Sequence, residues 1–192
     1  MSELEAKPRA AEVKANRFSN REAIRDWSGI VTTRAGTTIL ITPAQPRDRD
    51  ALRKFFGNVT PQDIYFRFLS GMREVDEERL QQMVDDSNDR TIDFLAIDPD
   101  TGEVLASAML GADKAFETAE FAVCTRDDMK HRGISWALLD HAARYAEAMG
   151  LRKITSLESA QQKDALGLER EMGFTIQPCP DDPRLIIAEK TF

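Results

Sequence analysis

Cysteine and histidine are scarce in this chain. Cys124 and Cys179, with His131 and His141, are the only ones in 192 residues. Two cysteines make no disulfide framework, and four such residues so far apart make no metal-ligand set, so reduced thiols and no metal are expected. Long hydrophobic runs are missing too. No stretch approaches the ~20 apolar residues that span a bilayer, and the opening MSELEAKPRAAEVKAN lacks the apolar centre of a signal peptide. A cytoplasmic protein with no membrane segment is expected. Nor is there an excess of basic residues: 26 Lys and Arg against 33 Asp and Glu leave a formal charge of −7. General nucleic-acid binding depends on such an excess, whereas a cationic partner suits this charge.

What remains is an ordinary globular composition, 42% hydrophobic and 31% charged, long enough for one domain with a real core. Residues 1–30 are polar at the start and read as a mobile arm or a loosely docked helix; residues 31–192 read as a single domain. Residues 37–42 (TTILIT) are β-branched and form an expected first strand, ended by Pro43 and Pro46. A helix with Leu52, Phe55 and Phe56 on its buried face and Gly57 at its end follows. Thr60-Pro61-Gln62-Asp63 marks another helix start, leading into the aromatic run Ile64-Tyr65-Phe66-Arg67-Phe68-Leu69, and residues 74–84 read as a third helix. Residues 92–97 and 104–110 are strands of a hairpin turned by Asp98-Pro99-Asp100-Thr101-Gly102, and residues 120–125 add a third antiparallel strand. A helix led by Gly133 places Ile134, Leu138, Ala142, Tyr145 and Met149 at core spacing. It crosses over to the strand 153–157, which should therefore run parallel to 120–125. A last helix, 162–172, has Ala165, Leu168 and Met172 inward, and strands at 174–176 and 185–188 close the sheet.

The chain is organised around residues 119–139, AEFAVCTRDDMKHRGISWALL. An apolar strand passes through a charged turn into an amphipathic helix, which is the layout of an anion site. A helix N-terminus offers backbone N–H groups without intrahelical partners and a favourable dipole. Gly133 lets a ligand approach the backbone, while Lys130, His131 and Arg132 lie in the turn. An ordinary strand-to-helix connection with solvated basic side chains is the alternative reading.

Residues 123–135, VCTRDDMKHRGIS, resemble the acyl-CoA-binding motif of the Gcn5-related N-acetyltransferase (GNAT) superfamily. Through Ile41-Thr42-Pro43, Tyr65-Phe66-Arg67-Phe68, Glu120-Phe121-Ala122-Val123 and Arg126-Asp127-Asp128 the chain is similar to the acetyltransferase domain of bacterial Pat-type protein lysine acetyltransferases. The resemblance covers roughly residues 37–174. It implies an α/β fold with a central, mixed but mostly antiparallel sheet, helices on both faces, and a parallel strand pair splayed at the acyl-CoA site. It also implies acetyl-CoA as co-substrate and a primary amine acceptor, a protein lysine favoured. A small-molecule amine or an inactive CoA-binding module are the alternatives, and a homodimer is left open.

By the same resemblance, Val123, Cys124 and Thr125 supply backbone groups to the thioester arm. Lys130, His131, Arg132, Gly133, Ile134 and Ser135 form the pyrophosphate turn, and Gln162 supplies an amide. The helix pair around Tyr65, Arg67 and Phe68 borders the acceptor groove. Lys130 stands where the motif has Gln or Arg, Ser135 where it has Gly or Ala, and Glu169 where many relatives carry a tyrosine acid. A lysine acceptor, with a pKa near 10.4, is neutral in only about one molecule in 2,500 at pH 7, so a general base is needed. Glu120 is the candidate. Strand alternation places it on one face with the small Ala122 and Cys124, and the family places a catalytic glutamate just before this apolar run. The role requires partial burial to raise its pKa.

Overall fold

The computed structural model describes residues 17–68, 74–86 and 88–192. Its centre is an eight-stranded sheet: β1 (Gly29–Thr32), β2 (Thr38–Pro43), β3 (Thr91–Ile97), β4 (Val104–Ala112), β5 (Thr118–Thr125), β6 (Lys153–Ser159), β7 (Thr175–Pro178) and β8 (Leu185–Thr191). The spatial order is β1-β2-β3-β4-β5-β6-β8-β7. Neighbours pair antiparallel except β5 and β6, which are parallel across the long helix between them. The expected α/β architecture is therefore present.

The helices are α1 (Asn20–Ala23), α2 (Arg49–Phe56), α3 (Pro61–Phe68), α4 (Glu77–Val84), α5 (Ile134–Ala148) and α6 (Lys163–Glu171). Their starts are written locally. The Thr60 hydroxyl accepts from the Asp63 N–H at 3.2 Å before α3, and the Asp76 carboxylate accepts from the Arg79 N–H at 2.8 Å before α4. Each satisfies a donor that the first helical turn leaves without a partner.

Two cores cover the two faces of the sheet. On one, Ile134, Leu138, Ala142 and Tyr145 of α5 pack on Phe94, Leu110 and Phe121. On the other, Leu52, Phe55 and Phe56 of α2, Ile64 of α3 and Leu80 of α4 pack on Leu95 and Cys124. Alternation along β5 decides the split: Ala119 and Phe121 belong to the first core and Cys124 to the second. In α6 the buried positions are Leu166 and Glu169, with Leu168 and Met172 half-buried. Ala165 lies outside the described side chains.

The expected boundary at residue 30 falls inside β1, and the first strand is β1 rather than β2. Residues 1–16, the start of the expected arm, lie outside the described residues. From Phe18 onward the segment is built into the fold. Phe18 is 1% exposed, its ring 4.9 Å from Phe116 and 5.4 Å from Tyr145. Buried Asn20 donates its amide to the Met83 carbonyl at 3.1 Å and accepts from the Asp93 N–H at 3.3 Å, tying α1 to α4 and β3. Replacing Phe18 by alanine is therefore expected to destabilise the whole domain by about 3–5 kcal/mol, the usual cost of emptying an aromatic core site. Denaturant unfolding measures this, and a loss below about 1 kcal/mol contradicts the docking.

Candidate functional site

β5 and β6 pair from Thr118↔Lys153 to Phe121↔Ser156 and then stop. β5 stays bonded to β4 as far as Thr125↔Ala106, and β6 to β8 as far as Ser159↔Leu185. Each strand keeps its outer neighbour while the inner pair parts. Residues 122–125 and 157–159 thus face each other across a gap in which backbone polar groups have no strand partner, a condition that invites a ligand with its own amides. A cavity of about 630 Å³ fills this gap, bounded by α3, the first turn of α5 and the start of α6. That size suits an extended small molecule.

The turn before α5 is held by backbone conformation and one hydroxyl. His131 and Gly133 both have positive φ, 61° and 75°. A Cβ on Gly133 would lie 3.3 Å from the Thr33 Cβ, so the position is constrained in both conformation and space. Thr33 donates its hydroxyl to the Arg132 carbonyl at 2.7 Å and accepts from the Thr37 N–H at 3.1 Å, fastening the turn to the β1–β2 connection. Gly133 is the N-cap, and no side chain among the described residues caps the helix. The first-turn N–H groups of a helix of 15 residues therefore point at the cavity mouth, where an anion is favoured.

Nine of the eleven residues expected at the site line this cavity: Val123, Cys124, Thr125, Lys130, His131, Gly133, Ile134, Ser135 and Gln162. Their roles differ from expectation in places. Lys130 is already engaged, donating to Asp63 of α3 at 2.7 Å with Asp127 at 3.3 Å. The Ser135 hydroxyl is 2.9 Å from that of Thr125, closing β5 onto α5. Burial pushes the Cys124 thiol up to about 12, far from a nucleophilic thiolate.

Two residues lie outside the cavity. Arg132 is exposed and contributes its carbonyl to the turn. Glu120 is also exposed and does not line the cavity, so the partial burial expected for it is absent. The reason is its place in the register. Glu120 pairs with Gly111 on β4 and Thr155 on β6; glycine gives no cover, and the core formed by α2, α3 and α4 reaches Cys124, at the other end of this face. Glu120 stands one residue before the last pair, at the apex of the gap.

The sequence reading passed over Glu158, Trp136 and Asp63, all of which line the cavity. Glu158 is on β6, two residues beyond the last parallel pair. Its carboxyl is pushed up to about 8, first by desolvation and then by Glu169. Glu169, buried on α6, accepts from the Ser156 hydroxyl at 2.5 Å, and desolvation raises its pKa as well. Its Oε2, like the Trp136 Nε1, is a buried polar atom with no partner among the described residues. Both are open to a ligand in the gap.

Residues 61–174, more than half of the chain, match the acetyltransferase (GNAT) family. Acetyltransferase PA5475 of Pseudomonas aeruginosa is 27% identical over 175 residues, 90% of this chain and 94% of that protein. An L-methionine sulfoximine/L-methionine sulfone acetyltransferase of Pseudomonas paraeruginosa is 34% identical over 79 residues, 39% of this chain and 46% of its own length. The GNAT domain of S. lividans PAT superposes with a TM-score of 0.76 at 20% identity, over 88% of this chain and 98% of that domain. A splayed parallel pair opening onto an uncapped helix N-terminus, in a chain whose sequence matches across that whole unit, makes this protein a member of the acetyltransferase (GNAT) family.

Proposed function

We propose that the protein transfers an acetyl group from acetyl-CoA to a primary amine. The observation that carries this reading is the gap between β5 and β6, with the α5 N-terminus at its mouth. The chemistry of the site fits the co-substrate: helical N–H groups for the diphosphate, unpaired strand edges for the amide-bearing arm, and the Trp136 donor with no partner among the described residues. Lys130, neutralised by Asp63 and Asp127, adds little charge, so the phosphate contact falls chiefly to backbone at Gly133, Ile134 and Ser135. Acetyl-CoA supplies an activated thioester, from which an amine takes the acyl group as a thiol departs.

The chain's own part is to position groups and manage two protons. Glu120, exposed at the apex on the face covered by α3, is the base that receives the amine proton, directly or through one water. Glu158, on the opposite face of β6 within the cavity, holds its proton at neutral pH and donates it to the departing sulfur. It thereby fills the role of the missing tyrosine, since Glu169 stands at that position. Two carboxyl groups in contrasting environments supply a base and an acid from the same side-chain chemistry.

Two acceptor classes have support. The likeness to the S. lividans PAT domain and the solvent access to Glu120 support a protein lysine. The relatives that act on L-methionine sulfoximine and sulfone support a small amine.

Acetyl-CoA at 100 times its Kd is expected to stabilise the fold by about 2.7 kcal/mol, and CoA should act similarly while ATP should not. Glu120→Gln should keep this thermal shift and lower kcat by about 100-fold or more. No shift at millimolar acetyl-CoA overturns the reading; unchanged turnover in Glu120→Gln overturns the base assignment.

Glu158 gives a second test without acceptor. The unfolded chain releases this proton near pH 4.5, whereas the fold holds it to about 8. The folded state binds more protons in that window, so this group costs stability increasingly as pH rises through it. Glu158→Gln removes the cost. Its melting temperature should nearly match the parent near pH 4.5 and exceed it by roughly 10 °C at pH 8, on the order of 4 kcal/mol. A pH-independent difference contradicts the buried, protonated state.

A further inference from the structure

We infer that a second, smaller cavity on the α3/α4 face is a carboxylate subsite and that the acceptor is a free amino acid; this rests on the acetyltransferase reading above and names its substrate class. The cavity, about 280 Å³, is floored by Thr91, Asp93 and Met109 of β3 and β4 and walled by Arg67 and Arg79. Arg67 is 1% exposed, the largest fully buried side chain among the described residues. Its Nη2 donates to the Asp93 carboxylate, but Nε and Nη1 have no partner among the described residues. A guanidinium carries five donors in a planar fork. With only Nη2 occupied, both the end-on fork through Nη1 and the side-on fork through Nε remain half open, each suited to a carboxylate.

The local charge points the same way. Asp93 is the only acid among the described lining residues, facing two arginines. Arg79 makes no ion pair among the described residues, and its guanidinium lies 5.5 Å from the Phe68 ring, which Arg67 meets from 4.9 Å. Burial outweighs Arg67 and raises the Asp93 carboxyl to about 6, so its negative charge is imperfectly held. In a chain of net charge −7, this pocket sets two arginines against one carboxyl. The polar Gln82 and Asn88 complete its rim.

Register connects this pocket to the reaction. Asp93 pairs with Met109, and Met109 pairs with Ala122, which lines the larger cavity. One strand spacing, ~4.8 Å, separates the pocket floor from the cavity wall. In the next row Thr91 pairs with Gly111 and Gly111 with Glu120. The path from the arginines to Glu120 runs over about two strand spacings along Gly111 and Ala122, and the flexible Met109 side chain lies across it, its Cε 3.9 Å from where a Cβ on Gly111 would stand. A ligand whose carboxylate sits between Arg67 and Arg79 lays its amine toward Glu120. A protein lysine has its own carboxyl tied up in a peptide bond and leaves these donors unfilled.

The test uses the whole chain, acetyl-CoA, and the twenty L-amino acids, each beside its α-carboxamide, with a lysine peptide as the alternative acceptor. Thiol release and product mass are read. At least one amino acid should be acetylated with kcat/KM about tenfold or more above its amide, and that amino acid should raise the melting temperature of the parent protein. Arg79→Gln, at a half-buried position, should collapse the acid-to-amide ratio and abolish that melting shift; Arg67→Lys, where it folds, should do the same. Equal rates for acid and amide, transfer to the peptide alone, a ratio that survives Arg79→Gln, or no acceptor despite an acetyl-CoA shift each overturns the carboxylate subsite and leaves the acetyltransferase reading standing. Absence of any acetyl-CoA shift overturns that reading, and the subsite with it.

Discussion

The site exists because two parallel strands stop pairing. A regular sheet would continue the β5–β6 ladder past Phe121↔Ser156 and satisfy every backbone group, leaving no place for a ligand. Here each strand is held on its outer side, β5 by β4 to Thr125 and β6 by β8 to Ser159. The divergence is thus imposed by neighbours that keep their own ladders, and unpaired polar backbone is carried where it lines a cavity. The position of the helix follows from the same constraint. The crossover from β5 to β6 brings the α5 N-terminus to the opening, where Thr33 and the left-handed Gly133 fix its approach.

Most of this was legible in the chain. Strand 120–125, the helix led by Gly133 and strand 153–157 have unmistakable periodicity, and a full helix between two strands leaves parallel pairing as the economical connection. β1 escaped because Gly29-Ile30-Val31-Thr32 is short and mostly exposed, with Ile30 at 67%; an edge strand without a buried face carries no alternation to read. Phe18 escaped for a related reason, a single aromatic anchor in a polar segment. Glu158 was within reach. Extending the strand two residues beyond Leu157 continues the alternation Ile154, Ser156, Glu158 onto the inward face, but a carboxylate beside apolar neighbours reads locally as a strand end. Its raised pKa comes from burial in the folded chain and then from the like charge of Glu169 on α6, neither of which the strand's own pattern displays.

Glu120 illustrates the reverse. Its place on β5 was legible in the sequence, while its burial depended on what lies across from it. Gly111, fixed by the β4–β5 register, is what leaves the carboxylate open to water. A single glycine on a neighbouring strand therefore decides whether this acid sits in a dry slot or at a groove. The space beside that missing side chain is shared with Met109, whose Cε lies 3.9 Å from where a Cβ on Gly111 would stand, so a flexible thioether rather than a fixed side chain separates Glu120 from the arginine-lined pocket.

Lys130 links the two sides of the molecule. Motif reasoning assigns its charge to phosphate, but its ammonium is held by Asp63 at 2.7 Å. Asp63 also belongs to the start of α3, where its N–H is capped by Thr60, and the far end of α3 carries Arg67. One short helix thus touches the co-substrate turn at its N-terminus and the arginine pocket at its C-terminus. An ion pair that is only partly exposed is screened less than a surface pair, so any displacement of the turn by a bound diphosphate is felt by Asp63. With eight residues α3 spans about 12 Å, short enough to move as a rigid rod. The helix that carries Arg67 is therefore mechanically tied to the turn before α5.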